Sequence, residues 1–417
     1  LADKKYQYSH QYFVDGTPLA GDAYFAGAWH TVLIGGLNAG GKGYYALDIT
    51  NPQVPKLLWE ISSATPGFAS MGYSFGNPVI TKTKTGQWVA LVTSGYNNHE
   101  SSTGAGDGKG HLYVIDVGTG QLLMDISTLT GSAETPSGLA KIVAWSDNAE
   151  YDNTALRVYG GDLLGNVWRF DINDDLGVAG YDAQLLVRVQ DATGKSQPIT
   201  TRPEITEING KAVVYVGTGK YLGLTDLADS SQHSFYAIKD ELGTTTYANP
   251  RTVGSLFVQQ TLTIGTCPTG TDMSICSSGQ VVRTASRNAV DFATQNGWYV
   301  DLPETGERVN VDPVLALGIL AFNSNTPSNT ACSEGGTSMR YFLDAATGGA
   351  LSSVKTSVAG SSLGNVLSSR PFVIQTPSSK VGEVISGSGG STVLLDMPKP
   401  PIGASTRRVS WRELPAE

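Results

Sequence analysis

RVYGGDLLGNVWRFDIN, Arg157–Asn173, runs from an apolar stretch through a Gly-rich turn into an alternating aromatic and aliphatic stretch that ends in Asp. RVYGG and NVWRF have the length and residue types of short β-strands, bounded by Gly, Asp and Asn. The same order of features recurs along the chain. Clear copies are VLIGGLNAGGKGYYALDIT and the pair VALVTSGYNN and KGHLYVIDVGTG. Weaker ones are VVYVGTGKYL with HSFYAIKD, NGWYVDLPETG, MRYFLDAATGG and EVISGSGGSTVLLDM.

The closing aspartates form a ruler: Asp48, Asp116, Asp171, Asp240, Asp301, Asp344 and Asp396. They span 348 residues in six intervals, a mean of 58. The copies resolve further into four strands each. NPVITKT, WVALVTSG, HLYVIDV and LLMDIST make one set, and KIVAWSD, LRVYGGDL, NVWRFDI and QLLVRVQ another. RPFVIQT, GEVISGS, STVLLDM and RRVSWREL make the last. A lone four-stranded sheet cannot bury its faces, so repeated sheets must cover one another. The expected fold is all-β: a seven-bladed β-propeller over residues 1–417, with the segment around Asp240–Asp301 least regular. The closing Asp of each copy fits a turn in which its carboxylate binds its own backbone. Trp59, Trp168, Trp298 and Trp411 fit packing between sheets.

Composition agrees. Gly numbers 50 of 417 residues and charged residues only 16%, which suits many tight turns. A net charge of −9 argues against a nucleic-acid partner. No apolar run is long enough to span a membrane. The first residues, LADKKYQYSH, do not form a signal peptide. Their abrupt start suggests a fragment of a longer protein whose N-terminal region is absent. Cys267 and Cys276 lie in one polar segment and can close a small loop as a disulfide, which would imply an oxidising compartment; three free thiols, with Cys332, is the alternative. The five histidines form no zinc motif. GTGKYLG at Gly217–Gly223 lacks the spacing of a phosphate loop. The polar loop Asn97–Gly110 reads as a solvated insertion or a partner-binding tip. Asp226 and Asp229 are a minor candidate for an ion.

GGDLLGNVWRFDIN (Gly160–Asn173) and VGTGKYLGLTD (Val216–Asp226) resemble signatures of the PilY family of type IV pilus assembly factors. GKGYYALDITNP, SFGNPVI, TSGYNN, SFYAIKD, NGWYVDL, CSEGGTS and SSRPFVI resemble it too, so the likeness runs from about Gly27 to about Asp396. It implies a modified seven-bladed propeller, quinoprotein-dehydrogenase-like in fold, at the C-terminus of a larger protein. That protein would carry a signal peptide and a large N-terminal region, often with a von Willebrand A-like domain. The implied role is pilus biogenesis and adhesion at the pilus tip. Partners would be minor pilins and a host or abiotic surface. The module would regulate pilus extension and retraction and support twitching motility. The implied location is the periplasm, outer membrane and cell surface of a Gram-negative bacterium.

The resemblance also implies a calcium loop just before GDLLGNVWRFD. Its nine-residue pattern alternates oxygen ligands, which suits a hard cation. Counted back from Arg157, the ligand positions hold Asn148, Glu150, Asp152, Thr154 through its carbonyl, and Leu156. Leu156 has no side-chain oxygen, and Asp147 lies one place out of register. Asp147, Asn148, Glu150, Asp152 and Thr154 are therefore the candidate calcium ligands, with an ion-free polar loop as the alternative.

Two functions compete. One is a non-enzymatic binding and assembly module of the pilus machinery. The other is a quinone-dependent dehydrogenase propeller, because IDVGTGQLL and LDAATGGAL resemble that class's turn. No adjacent cysteines and no concentration of Arg, Asp and Glu support the second. A carbohydrate-binding adhesin has only surface aromatics in its favour.

Overall fold

A computed structural model describes residues 11–101, 104–148, 151–176, 180–328, 335–375, 381–400 and 406–408. Among them every regular element is a strand, apart from the short 3-10 segments Asn38–Gly40 and Leu224–Ala228. No helix among the described residues is long and apolar enough to cross a membrane. Packing divides the chain into two compact units between Leu185 and Leu186.

The first unit holds three antiparallel sheets of four strands, each in chain order. The first sheet is Leu19–Phe25, Ala28–Gly36, Gly43–Asp48 and Lys56–Ser62. The second is Val79–Lys82, Trp88–Thr93, His111–Asp116 and Leu122–Ser127. The third is Ile142–Trp145, Arg157–Gly161, Asn166–Phe170 and Ala183–Arg188, whose last strand runs into the second unit. The strands expected in the second and third sheets are all present. Arg157–Gly161 and Asn166–Phe170 are buried at every position. Middle strands covered on both faces lose the in–out alternation that marks a half-solvated strand.

In the second unit Glu204–Ile208, Lys211–Gly217, Ser234–Asp240 and Gly297–Asp301 pair antiparallel in that order. Phe257–Gln260 adds to Gly297–Asp301 in parallel, so this segment is indeed irregular. The next sheet runs Val314–Ala316, Ile319–Pro327, Gly336–Asp344, Val358–Gly364, Val281–Ala285 and Leu262–Thr266. A three-stranded sheet, Phe372–Gln375, Val381–Ser386 and Thr392–Asp396, follows.

Two expectations change here. Asp240 and Asp301 end adjacent strands of one sheet, so they do not mark separate repeats. Their chemistry differs accordingly. Asp48, Asp116, Asp171, Asp240 and Asp344 each accept the amide two residues on, at 2.9–3.2 Å. Asp301 instead accepts the Ser234 hydroxyl at 2.7 Å and pairs with the Arg251 guanidinium. The second change is at the C-terminal end. Thr406–Arg408, which includes the start of RRVSWREL, pairs with Glu204–Ile208 rather than with Thr392–Asp396. Glu204–Ile208 offers an open edge that any extended segment can extend.

Tryptophans join neighbouring sheets, as expected for Trp59, Trp168 and Trp298, all buried; Trp411 lies outside the described residues. The Trp59 indole donates to the Val117 carbonyl at 2.9 Å, and Trp298 to the Ala345 carbonyl at 3.1 Å. Each acceptor directly follows a closing Asp. Three residues further on in each case, Gly120 (φ +74°) and Gly348 (φ +71°) lie against the ring. A Cβ there would sit 2.6 Å from Trp59 and 2.3 Å from Trp298. The two TG turns therefore serve as seats for the previous sheet's tryptophan.

The motif GDLLGNVW is explained by Asp162, which is fully buried. Its Oδ1 accepts the amides of Leu164 and Asn166 at 3.0 and 2.9 Å. Its Oδ2 accepts the Asn166 amide group, the Trp168 indole and the Ser137 hydroxyl at 2.9, 2.9 and 3.0 Å. One carboxylate thus ties the turn, the following strand and the preceding loop. Cys267 and Cys276 form a disulfide, with Cα atoms 5.9 Å apart. Cys276 packs in a core with Val282, Phe342 and Leu351. Cys332 lies outside the described residues.

Candidate functional site in the Trp145–Arg157 loop

The loop expected to hold calcium joins the first two strands of the third sheet. Its entry is a turn in which the Asn148 carbonyl accepts the amides of Tyr151 and Asp152 at 2.9 and 2.8 Å. Its exit runs beside Val79–Lys82 of the second sheet. The Lys82 amide donates to the Asn153 carbonyl at 3.0 Å, and Ala155 donates back to the Lys82 carbonyl at 2.8 Å. Thr81 Oγ1 also donates to the Asn153 carbonyl, at 2.5 Å.

The described candidate ligands are each engaged within the protein. Asp147 Oδ1 accepts the Trp145 indole N–H at 2.7 Å. Asp152 Oδ1 accepts the amide and hydroxyl of Thr154 at 3.1 and 2.7 Å, and the Lys82 ammonium lies 2.8 Å away. Lys82 first, then Thr154, hold the Asp152 pKa below its usual range. Glu150 lies outside the described residues. Among those described, no group of three His, Cys, Asp or Glu side chains could hold a metal. An ammonium against the central carboxylate, an indole on Asp147 and an apolar Leu156 do not fit a divalent cation, which needs six or more oxygens.

Lys82 is the residue that sequence reading misses. It lies in another sheet's strand, with no local signal to tie it to Asp152. Its ammonium also lies 5.9 Å from the centroid of the Trp88 ring. Trp88 in turn packs edge-on against the exposed Trp29, with centroids 5.6 Å apart, and Trp29 packs likewise on Tyr24. The other features singled out are engaged structurally. Asp226 binds Lys220 and the amides of Leu222 and Gly223, and Asp229 binds Ser231. The Arg308 guanidinium donates to the carbonyls of Lys220, Asp226 and Asp229 at 2.8–2.9 Å, which braces the segment after GTGKYLG. That segment continues into a short 3-10 turn, not into the helix N-terminus of a phosphate loop.

Successive antiparallel four-stranded sheets, docked by tryptophans onto the next sheet's turn, define the β-propeller class. The crystal structure of the Pseudomonas aeruginosa PilY1 C-terminal domain is similar over 93% of this chain and 85% of that one, with a TM-score of 0.73 and 28% identity. Residues 1–271 match the PilY1 beta-propeller domain family. The type IV pilus biogenesis factor PilY1 of Pseudomonas aeruginosa is 33% identical over 376 residues, covering 82% of this chain and 31% of that protein. A type IV pilus biogenesis factor PilY1 homolog of Xylella fastidiosa is 30% identical over 425 residues, covering 98% of this chain and 32% of that protein. The chain belongs to the PilY1 beta-propeller family. It spans about a third of the length of these curated relatives, which are named as pilus biogenesis factors rather than enzymes.

Proposed function

We propose that this chain is the propeller portion of a type IV pilus biogenesis factor that acts at the pilus tip as a binding and assembly module. Minor pilins are its partners there, and a host or abiotic surface is a further one. It tunes pilus extension and retraction, and with them twitching, from the periplasm, outer membrane and cell surface. The observation that carries the reading is the likeness to the PilY1 C-terminal domain across 93% of the chain. The module works without catalysis. The turns that suggested a quinone enzyme, IDVGTGQLL and LDAATGGAL, pack on Trp59 and Trp298, a use that needs no cofactor.

The Lys82–Asp152 ion pair in the Trp145–Arg157 loop supports a reading in which binding does not depend on calcium. The test is a pull-down of the organism's minor pilins with the purified chain, with and without a calcium chelator. Capture unchanged by chelator is the expected result. No capture in either condition, together with normal piliation and twitching in a clean deletion, would sink the pilus reading. Capture lost only with chelator would overturn calcium independence alone.

A further inference from the structure

His111 begins the strand His111–Asp116 and is 6% exposed. Both of its ring nitrogens meet a carboxylate. Nδ1 lies 2.7 Å from Oδ1 of Asp125, on the neighbouring strand Leu122–Ser127. Nε2 lies 3.1 and 3.2 Å from the two carboxylate oxygens of Asp107. A neutral imidazole has one donor and one acceptor nitrogen, whereas an ionised carboxylate only accepts. Only the imidazolium, with two N–H donors, satisfies both contacts.

Asp107 belongs to the return limb of the Asn97–Gly110 loop. Its Oδ1 also accepts the Ser70 hydroxyl at 2.9 Å and the Lys109 amide at 3.0 Å. The limb is further held by the Asn98 side chain on the Lys109 carbonyl at 2.6 Å and by the Ser137 amide on the Gly108 carbonyl at 2.8 Å. The titratable groups around the imidazole come from three places. Asp107 and Lys109, whose ammonium is 3.9 Å from Asp107, come from the limb. Asp125 comes from the neighbouring strand. Tyr113, on the imidazole's own strand, stacks on it with centroids 5.7 Å apart. Burial and the nearby carboxylates hold the Tyr113 phenol far above its usual range, so it stays neutral.

We propose that Asp107, His111 and Asp125 form a pH-operated clasp on the Gly106–Gly110 limb, closed while His111 carries its proton and loosened when it loses it. Burial works against the charged ring, but the carboxylates of Asp125 and Asp107 outweigh it and raise the His111 pKa above its ordinary 6.5. A raised imidazole pKa stabilises the fold fully below the unfolded value, and that stabilisation is lost as pH rises through the folded one. At the acid end, burial raises the Asp107 pKa, but the Lys109 amide and His111 more than reverse this and lower it. The Asp107 arm of the clasp therefore keeps its charge until pH falls below the ordinary carboxylate range.

The test is an NMR titration of the His111 ring in the purified chain, with amide-exchange protection factors for Gly106–Gly110 from about pH 5.5 to about pH 8.5. The expected result is a His111 pKa above 6.5 and a loss of protection as pH rises over that range. His111→Gln, which cannot titrate, should make protection independent of pH. Asp125→Asn covers the case in which His111→Gln does not fold: it should lower the His111 pKa and move the loosening to lower pH. A His111 pKa at or below 6.5, protection that is flat in the unmodified chain, pH dependence that persists in His111→Gln, or no shift in Asp125→Asn would each overturn the clasp.

Discussion

Asp48 and Asp162 both follow apolar runs, and both bind backbone amides, but their surroundings set them apart. Asp48 is half-buried and closes a turn onto Thr50. Asp162 is fully buried and accepts five donors, three of them from the side chains of Ser137, Asn166 and Trp168. Removing the half-buried Asp48 carboxylate lets water reach its partners Thr50 and His30, at a cost of about 1 kcal/mol. Removing a buried hub leaves enclosed donors unpaired, which costs roughly 3 kcal/mol or more. Chemical denaturation of Asp162→Ala and Asp48→Ala should show this ordering. Equal losses would mean that the GDLLGNVW motif is not organised around its carboxylate. Lys82 carries the same lesson in reverse. An ordinary-looking lysine in ITKT settles the character of a loop seventy residues away because its ammonium reaches Asp152.

At the scale of elements, the recurring joint is a tryptophan of one sheet seated on the TG turn of the next. It combines an indole hydrogen bond with a glycine whose missing Cβ makes room for the ring. Gly194 offers a control, because it too has positive φ (+86°) but open space around it. Gly194→Ala should cost about 1 kcal/mol, for backbone strain alone. Gly348→Ala should cost about 3 kcal/mol or more, because the new methyl group drives into Trp298 as well. Denaturation midpoints of the two variants measured side by side decide this. If both glycines cost the same, the turn is a turn and not a seat. The first and second sheets show the same joint through Gly120 and Trp59, so Gly120→Ala should behave like Gly348→Ala.

For the whole molecule, stability rests on cores between sheets within each unit, and in the second unit on one covalent link. The Cys267–Cys276 bridge closes a short loop against Val282 and Phe342. A loop of this size stabilises by about 2.5 kcal/mol through the unfolded chain. Replacing both cysteines with serine should lower the thermal midpoint. It should also raise amide exchange in Leu262–Thr266 and Val281–Ala285, and leave the three sheets of the first unit unchanged. Exchange that rises equally throughout would show that the units do not unfold separately.

The sequence by itself determined the strands, their turns and the class of fold. Turn chemistry and strand patterning act over a few residues, so the closing aspartates and the glycines of the TG turns could be read directly, whereas the pairing of Cys267 with Cys276 stayed open against free thiols until the structure joined them. The Asp162 motif was legible as a signature, though its reason was not. Only the tertiary structure decided which strands share a sheet in the second unit. Asp301 repeats the sequence pattern of Asp240, yet its strand pairs with Asp240's own. The same holds for the site. Lys82 against Asp152, and His111 between Asp107 and Asp125, are neighbours made by the packing of separate strands and loops. The electrostatic fate of a carboxylate depends on which charge is brought beside it, and no local pattern carries that information.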